Sequence, residues 1–451
     1  MKRIFKKLTA LSVFILTLII ALTFVGCGAA GNSMDGAMAP GGGSGGYGKG
    51  ESSPDYADGL GDPSAPGDVT DGGDILDGEP AEGGGNQQRP IVKQLTAAEW
   101  RDAYNYDFWL GLFEENVPFK GQDGTEITKD GIFSKFKTAT RGLDTFDMHE
   151  VYVSCDGAPV VGAQVSLYYE SDVIYSAVTD SAGTAYVFGN GSHIQAVSGQ
   201  ASASADITEG VTRISLTDSA VLENELEIMF VVDTTGSMGD ELSFLCDELA
   251  GIVERTSSAL DCTIRLGLIF YRDEGDAYVT RKYDFVEVNS ERGLNTVVNN
   301  IRAQKSAGGG DYPEAVERAL YEGVKADWHS ASKTKLLFQV LDAPYHDGQV
   351  NQTLFAKAVT DAAEKGIRII PVAASGLDTL GQYIMRSAAL LTGGTYTFLT
   401  DDSGIGLSHE LPAVGEFTVE YLSDLMVRLI KGYYTGEFEE PVLWSQSENV
   451  V

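Results

Sequence analysis

Residues 226–237 read LEIMFVVDTTGS, an apolar run that changes to small hydroxyl residues, a glycine and a carboxylate. The run LEIMFVV indicates a buried strand. Asp233, Thr235 and Ser237 follow it at alternate positions, and on a tight loop a carboxylate and two hydroxyls with this spacing can converge on one point. These hard oxygen donors suit Mg²⁺ or another hard cation. The end of this strand is therefore a candidate metal site.

Apolar strands and amphipathic helices alternate from about residue 226 onward. The strands are LEIMFVV, TIRLGLIFY, KLLFQVL, IRIIPVAA and TYTFLT, and the helices include ELSFLCDELAGIVERT, PEAVERALYEGVK and QTLFAKAVTDAAEK. Continuous apolar strands separated by helices are typical of a sheet covered on both faces. We therefore predict a doubly wound, mostly parallel α/β domain over residues 225–433. The segment FYRDEGDAYVTRKYDF predicts a hairpin that adds one antiparallel edge strand.

Two further acidic loops follow in this domain. Asp311 comes directly after the glycine run 308–310, and Asp342 follows the strand KLLFQVL. In a doubly wound sheet ligands bind outside the carboxyl ends of the strands, so Asp233, Asp311 and Asp342 are expected to meet in one crevice. Three carboxylates there would repel one another, and a divalent cation removes that repulsion. We expect Mg²⁺, with Ca²⁺ or Mn²⁺ as alternatives.

Helix capping is the alternative role of two of these residues. Asp311 is followed three residues later by Glu314, with Pro313 early in the next predicted helix, which is an N-cap pattern. Ser237 is a candidate cap for the helix that begins near Met238. Capping and metal binding do not exclude each other.

This constellation resembles the von Willebrand factor type A (VWA) family. Its metal-ion-dependent adhesion site uses D-x-S-x-S after the first strand, a Thr or Asp from a middle loop, and an Asp after the fourth strand. The residues of this chain at those places are Asp233, Thr235, Ser237, Asp311 and Asp342, with Thr235 instead of the usual first Ser. The resemblance implies a Rossmann-like fold and a metal ion that keeps one coordination position for an acidic residue of a partner protein. An Asp in the middle loop adds negative charge, so we expect firm metal binding but weaker capture of that acidic residue.

The N-terminal residues resemble a bacterial lipoprotein signal. Residues 1–7 (MKRIFKK) are basic, residues 8–25 are mostly apolar, and Gly26 precedes Cys27. In that family the cysteine is acylated and becomes the first residue of the mature protein. An uncleaved transmembrane anchor is the alternative, since about 18 apolar residues nearly span a bilayer. Both interpretations place the rest of the chain at the extracytoplasmic face of a bacterial cell membrane.

Residues 28–90, rich in Gly, Ser, Pro and Asp, are expected to form a disordered tether.

Two segments lie between the tether and the α/β domain. Residues 91–146 are predicted to be a helical or irregular lead segment, because Thr96 to Glu99 fits a capping box at the start of an aromatic-rich helix. Residues 147–220 contain short β-rich runs separated by turns, and Asp180 is expected to be a turn residue. The stretch GAPVVGAQVSLYYESDVIYSAVTDSAGTAYVF resembles the carboxypeptidase regulatory-like domains, which implies a small Ig-like β-sandwich. Residues 434–451 are expected to be a C-terminal tail.

The charge balance excludes one class of partner. The chain has 65 acidic and 32 basic residues and a formal net charge of −33, which repels nucleic acid and anionic lipid headgroups.

Apart from Cys27, the cysteines are Cys155, Cys246 and Cys262, whose spacing fits no metal-binding pattern. Cys246 and Cys262 flank one helix-to-strand connection, so they are candidates either for a disulfide or for buried thiols.

These features favour a binding protein over an enzyme. The sequence has no Ser-His-Asp order, nucleotide-binding loop or zinc-type spacing, and His346 and Asp347 are explained as polar loop residues. We expect a lipid-anchored extracytoplasmic protein that uses the metal site for metal-dependent protein binding or adhesion. A structural or assembly component of the cell envelope with a structural metal is the alternative. An auxiliary subunit of a metal-dependent enzyme complex is a third candidate.

Overall fold

The computed structural model describes residues 94–120, 126–374, 376–404 and 412–447. The predicted signal peptide with Cys27, the predicted tether over residues 28–90 and the end of the predicted tail lie outside the described residues. Within the ranges described, no helix is long and apolar enough to cross a membrane.

The elements of the described residues are numbered in chain order. The strands are β1 (Thr96–Trp100), β2 (Val117–Lys120), β3 (Glu126–Lys129), β4 (Met148–Cys155), β5 (Ala158–Pro159), β6 (Gln164–Tyr169), β7 (Asp172–Val178), β8 (Thr184–Phe188), β9 (His193–Ser198), β10 (Ala201–Asp206), β11 (Thr212–Leu216), β12 (Glu223–Asp233), β13 (Thr263–Tyr271), β14 (Thr280–Glu287), β15 (Ser332–Leu341), β16 (Ile367–Ala373), β17 (Tyr396–Thr400) and β18 (Glu420–Tyr421). The α-helices are α1 (Tyr106–Gly111), α2 (Gly239–Ala259), α3 (Glu291–Arg302), α4 (Val316–Val324), α5 (Gln349–Lys365), α6 (Thr379–Thr392), α7 (Leu422–Thr435) and α8 (Trp444–Ser447).

The main sheet has eight strands in the order β14-β13-β12-β15-β16-β17-β1-β18. β12 lies between β13 and β15 and pairs in parallel with both, and the parallel run continues through β16 and β17. β14 is antiparallel to β13 at one edge, which confirms the predicted edge strand. The prediction of a mixed α/β fold with a large, mostly parallel sheet is therefore confirmed.

Helices cover both faces of this sheet because its central strands are apolar on both sides. On one face Phe230 and Phe338 stack with 5.2 Å between ring centroids, in a core shared with α2, α3 and α7. On the other face Val231 and Leu337 belong to a core shared with α4, α5 and α6. Parallel pairing of β12 with β15 places their carboxyl ends at the same edge of the sheet, where polar loops follow both strands.

The lead segment contributes a strand to the main sheet. β1 pairs antiparallel with β17, so the predicted helix start at Thr96 to Glu99 is wrong, and the first helix begins only at Tyr106. Ala97 and Ala98 are fully buried in the cores on opposite faces of the sheet, as the alternation of a strand allows. Burial on both sides and pairing with β17 outweigh a capping preference worth on the order of 1 kcal/mol.

Residues 148–216, called the β module below, form two four-stranded sheets. One has the order β10-β9-β6-β7, and in the other β11, β5 and β8 pair with β4. Side chains of both sheets share one core, which includes Val153, Val165, Leu167, Ile194 and Ile214. Asp180 accepts hydrogen bonds from Ala182 N and Thr184 N, both at 2.9 Å, which confirms its role in a turn. The resemblance to an Ig-like sandwich stays a prediction.

The cysteines do not form the suggested disulfide. Cys246 lies inside α2, and the helix continues to Ala259 before the chain reaches Cys262. At the rise of an α-helix this separation is about 20 Å along the axis, far beyond the distance that a disulfide spans. Cys155 and Cys262 are free thiols.

Candidate metal centre

Asp233 is the last residue of β12 and is fully buried. Its Oδ1 accepts hydrogen bonds from Thr235 N at 2.8 Å and from Thr235 Oγ1 at 2.7 Å, which turns the chain back across the end of the strand. Its Oδ2 is also buried and makes no hydrogen bond to a described residue. Because a buried carboxylate oxygen without a partner is costly, this atom marks a position where a cation fits.

Two hydroxyls lie beside this carboxylate. Thr235 Oγ1 and Ser237 Oγ are 3.2 Å apart, with Thr235 buried and Ser237 exposed. The alternate spacing in the sequence thus brings both oxygens to one side of the loop. α2 begins at Gly239 with Met238 at its N-cap position, so Ser237 is not the N-cap residue of this helix.

Hydrogen bonds from two neighbouring segments hold the loop after β12. Ala307 N donates to Thr234 O at 3.0 Å, and Gly236 N donates to Gly308 O at 3.1 Å. The Thr234 hydroxyl donates to Tyr271 O at 2.8 Å, at the end of β13. Backbone contacts on both sides of the loop therefore fix the positions of the candidate metal-ligating oxygens.

Glu314 is a third buried carboxylate, beside Asp233 and Asp342. Asp342 directly follows β15 and is buried. Glu314 lies beside the same loop, because Glu314 N donates to Pro344 O at 2.9 Å and Glu314 forms a parallel bridge with Tyr345. Glu314 is 3% exposed, and its Oε2 has no hydrogen-bond partner in the described part of the chain. The sequence pattern had predicted Asp311 as the third carboxylate of the site.

These buried carboxylates repel one another. Burial, and after it the charge of Asp342, raises the pKa of Asp233 to about 7, and the hydrogen bonds from Thr235 oppose this rise only in part. Burial, and after it the charge of Asp233, raises the pKa of Glu314 to about 9. A divalent cation between the carboxylates would stabilise their charged forms and so offset both effects.

Thr235, Ser237, Glu314 and Asp342 line a cavity of about 330 Å³. One wall of this cavity requires glycine: Gly309 has a φ of +70°, and a Cβ there would lie 2.8 Å from Glu314 Oε1 and 3.2 Å from Thr235 Cβ. The donors around the cavity are carboxylate and hydroxyl oxygens. This set fits Mg²⁺, Ca²⁺ or Mn²⁺ better than a metal that prefers sulfur or imidazole.

Asp311 lines the same cavity but lies at its rim. Its side chain is 66% exposed, and its Oδ2 is 3.9 Å from His346 Nδ1. His346 Nε2 is 2.6 Å from Asp273 Oδ1, and these three residues offer ligand atoms within 4.8 Å of one another. α4 begins at Val316, after Ala315, without a side-chain cap, so the alternative capping role of Asp311 is wrong.

Glu314 is the residue that sequence reasoning missed as a member of the site. It stands directly before Ala315 and Val316, which open α4 and are both fully buried. The available signal was an acid that adjoins an apolar pair, four positions after the last glycine of the loop. His346 was expected to be a polar loop residue, and the structure adds its contacts with Asp273 and Asp311.

Residues 227–380 match the family model of the von Willebrand factor A domain. These residues are therefore similar to a VWA domain. The matched range includes the loop after β12, the glycine loop and the loop after β15, so it covers every residue of the candidate metal centre.

Two further similarities are more limited. An ariadne-like RING finger protein of Acanthamoeba polyphaga mimivirus is 30% identical over 140 residues, which cover 30% of this chain and 12% of that protein. The chain thus spans about an eighth of that relative's length. The pilus adhesin SpaC from Lactobacillus rhamnosus GG aligns with 47% of this chain and 30% of its own, at 10% identity and a TM-score of 0.32.

Proposed function

We propose that the VWA domain binds a divalent cation through Asp233, Thr235, Ser237, Glu314 and Asp342. Mg²⁺ is the expected ion, with Ca²⁺ or Mn²⁺ as alternatives. The observation that carries this proposal is a pair of buried carboxylate oxygens, Asp233 Oδ2 and Glu314 Oε2, without a hydrogen-bond partner among the described residues. Asp311 takes part from the rim, through water or through its contact with His346.

The bound cation is proposed to serve metal-dependent protein binding or adhesion. The cavity beside Thr235 and Ser237 leaves room for an oxygen atom of a partner protein, such as a carboxylate. Asp233, Glu314 and Asp342 together carry three negative charges, so a divalent cation leaves one of them uncompensated. We therefore expect a partner's acidic residue to bind weakly through the metal alone, and the surrounding surface to supply further affinity.

The N-terminal residues support a proposal about the location. We propose that Cys27 carries a lipid at the extracytoplasmic face of a bacterial membrane, and that residues 28–90 tether the folded part to it.

Two other functions use the same site differently. In an envelope assembly component the cation would only hold the loops together, and partner binding would survive its removal. In an auxiliary subunit of a metal-dependent enzyme complex, the partner would be the catalytic chain. We propose no catalytic role for this chain itself, since the donors around the cavity are explained by cation binding.

The test combines metal titration with partner capture. Isothermal titration calorimetry with MgCl₂ should give saturable binding for the wild-type chain and for Asp172→Asn, an exposed carboxylate in the β module, but not for Asp233→Asn. Envelope proteins captured by the immobilised wild-type chain should be released by EDTA and should not be captured by Asp233→Asn. Capture that persists in EDTA would favour the assembly component, and absence of Mg²⁺, Ca²⁺ and Mn²⁺ binding would refute the metal site.

A further inference from the structure

A second cavity lies at the opposite end of the main sheet, where β15 and β16 begin. It measures about 350 Å³ and lies between these strand ends and the β module, next to Val178 and Thr179. Its lining carries four cationic side chains and two carboxylates, namely Lys333, Lys335, Lys365, Arg368, Asp180 and Glu364. A net positive lining is unexpected in a chain whose formal net charge is −33.

The cationic groups lack anionic partners. None of the four forms an ion pair with a carboxylate in the part of the chain that the structure describes. Arg368 donates to the carbonyls of Thr392 at 2.7 Å and Val178 at 2.6 Å. Lys335 is 9% exposed, and its Nζ reaches two carbonyl oxygens only at 3.5 Å, the limit of a hydrogen bond. Lys333 lies 4.3 Å from the centre of the Tyr434 ring.

The nearby carboxylates are already engaged or exposed. Asp180 accepts two backbone hydrogen bonds in its turn, and Glu364 is exposed near the end of α5. Glu227, whose charge acts on Lys335, is paired with Arg265 and accepts a hydrogen bond from Ser332. Among the described residues that line the cavity, four cationic groups therefore face only two carboxylates.

Burial makes this arrangement costly. It lowers the pKa of Lys333 and Lys335, so their charged forms are destabilised where they stand. Lys365 is exposed, and its Nζ donates a hydrogen bond to Val324 O at 2.8 Å. Thr334, between the first two lysines, also lines the cavity, and its hydroxyl is buried with no hydrogen-bond partner among the described residues. An oxyanion in the cavity would supply the missing negative charge and acceptor atoms.

We propose that this cavity binds a small organic oxyanion, held through its phosphate or carboxylate group by Lys333, Lys335, Lys365 and Arg368. The lining also includes Trp328 and Leu222, which provide apolar surface for the rest of the molecule. The volume is in the range of small-molecule sites, and a position between two parts of a fold is a common one for such sites. The proposal does not depend on the metal centre.

Calorimetry on the purified chain tests this proposal. Phenyl phosphate and benzoate are titrated separately, with inorganic phosphate as the minimal probe and sodium chloride at equal ionic strength as the blank. We expect saturable binding of at least one aromatic probe. Phenyl phosphate is compared with inorganic phosphate and benzoate with chloride, and the aromatic probe should bind on the order of tenfold more tightly. The stronger of the two aromatic probes identifies the anionic group that the cavity prefers.

Variants locate the binding to this cavity. Lys335→Met should weaken binding by at least about tenfold, because a charged hydrogen bond to the anion is lost. Lys333→Met, which removes a half-buried lysine that contacts a ring, is the second variant if Lys335→Met does not fold. Lys357→Met, an exposed lysine paired with Asp361, is the matched control and should bind as the wild type does. Equal affinity in all three variants, or heats no larger than those of chloride, would overturn the proposal.

Discussion

Arg386 of α6 and Asp102 of the lead segment form a two-point ion pair: Nε donates to Oδ2 at 3.0 Å and Nη2 donates to Oδ1 at 2.6 Å. Both side chains are almost fully buried, with 0% and 2% exposure. The Arg386 guanidinium also lies 5.2 Å from the centre of the Trp109 ring and 5.5 Å from that of Phe133. Residues before β4 therefore pack against a helix that covers the main sheet.

Asp102→Ala should destabilise the protein by about 3–5 kcal/mol, because it leaves the Arg386 guanidinium buried without its carboxylate. Urea unfolding followed by circular dichroism measures this change. Asp107→Ala removes an exposed carboxylate in the same segment and should cost less than about 1 kcal/mol. Equal losses in the two variants would show that the buried pair does not anchor the lead segment.

Glu314→Gln should weaken Mg²⁺ binding more than Asp311→Asn does. Glu314 is buried beside Asp342, whereas the Asp311 side chain is 66% exposed. We expect a loss of at least about tenfold for Glu314→Gln and of less than about threefold for Asp311→Asn, because a direct carboxylate ligand contributes more than a charge at the rim. Calorimetric titration with MgCl₂ compares the two variants. A larger loss of affinity in Asp311→Asn than in Glu314→Gln would identify Asp311 as the third carboxylate ligand.

Asp233→Asn should stabilise the metal-free protein while it abolishes stabilisation by Mg²⁺. The amide keeps an oxygen that can accept from Thr235 N but removes the repulsion with Asp342. A gain of stability in EDTA is expected above about pH 7, where the Asp233 carboxylate would be charged and buried near Asp342. Thermal melts in EDTA and in MgCl₂ measure both effects, and a loss of stability in EDTA would contradict the repulsion.

The metal-free protein should lose stability as the pH rises from about 4 to about 9. The pKa values of Asp233 and Glu314 are raised on folding, to about 7 and about 9, so the folded state holds these protons more tightly than the unfolded state. This contribution is complete below the ordinary carboxylate pKa and is lost as the pH rises through the folded values. Saturating Mg²⁺ should reduce the loss, because the cation replaces the protons.

Urea midpoints in EDTA and in MgCl₂ across this pH range provide the measurement. The Asp233→Asn, Glu314→Gln double variant is the control, since it keeps every other titrating group. Its stability should vary less with pH than that of the metal-free wild type. Identical slopes for the two proteins in EDTA would assign the pH dependence to other groups.

Gly309→Ala should disturb the metal centre, and Gly310→Ala should not. A Cβ at Gly309 meets Glu314 Oε1 at 2.8 Å on a backbone with positive φ, whereas a Cβ at Gly310 meets nothing within 4 Å. We expect Gly309→Ala to cost about 1–2 kcal/mol and to weaken Mg²⁺ binding. Thermal melts and calorimetry compare the two variants. Equal stability and equal Mg²⁺ affinity would show that the loop beside Glu314 accommodates the added Cβ without strain.

Most of the main sheet could be predicted because its signal is local. β12 contains the mostly apolar run LEIMFVV and ends at Asp233, and β15 ends in the mostly apolar run LLFQVL, which Asp342 follows directly. The pattern alone therefore placed both carboxylates at strand ends. The capping box at Thr96 to Glu99 is an equally local signal, but it failed because pairing with β17 and burial on both faces are not visible in the neighbouring residues.

The residues themselves determined that strand β12 is buried and that Asp233, Thr235 and Ser237 leave its end together, because side-chain alternation and apolar character act over a few positions. Which carboxylate completes the site was decided by the tertiary structure. Asp311 and Glu314 stand three positions apart in one loop, and only the bridge from Glu314 to Tyr345 turns one inward and leaves the other at the rim. Burial of a charge depends on groups distant in the chain, so no local pattern specifies it.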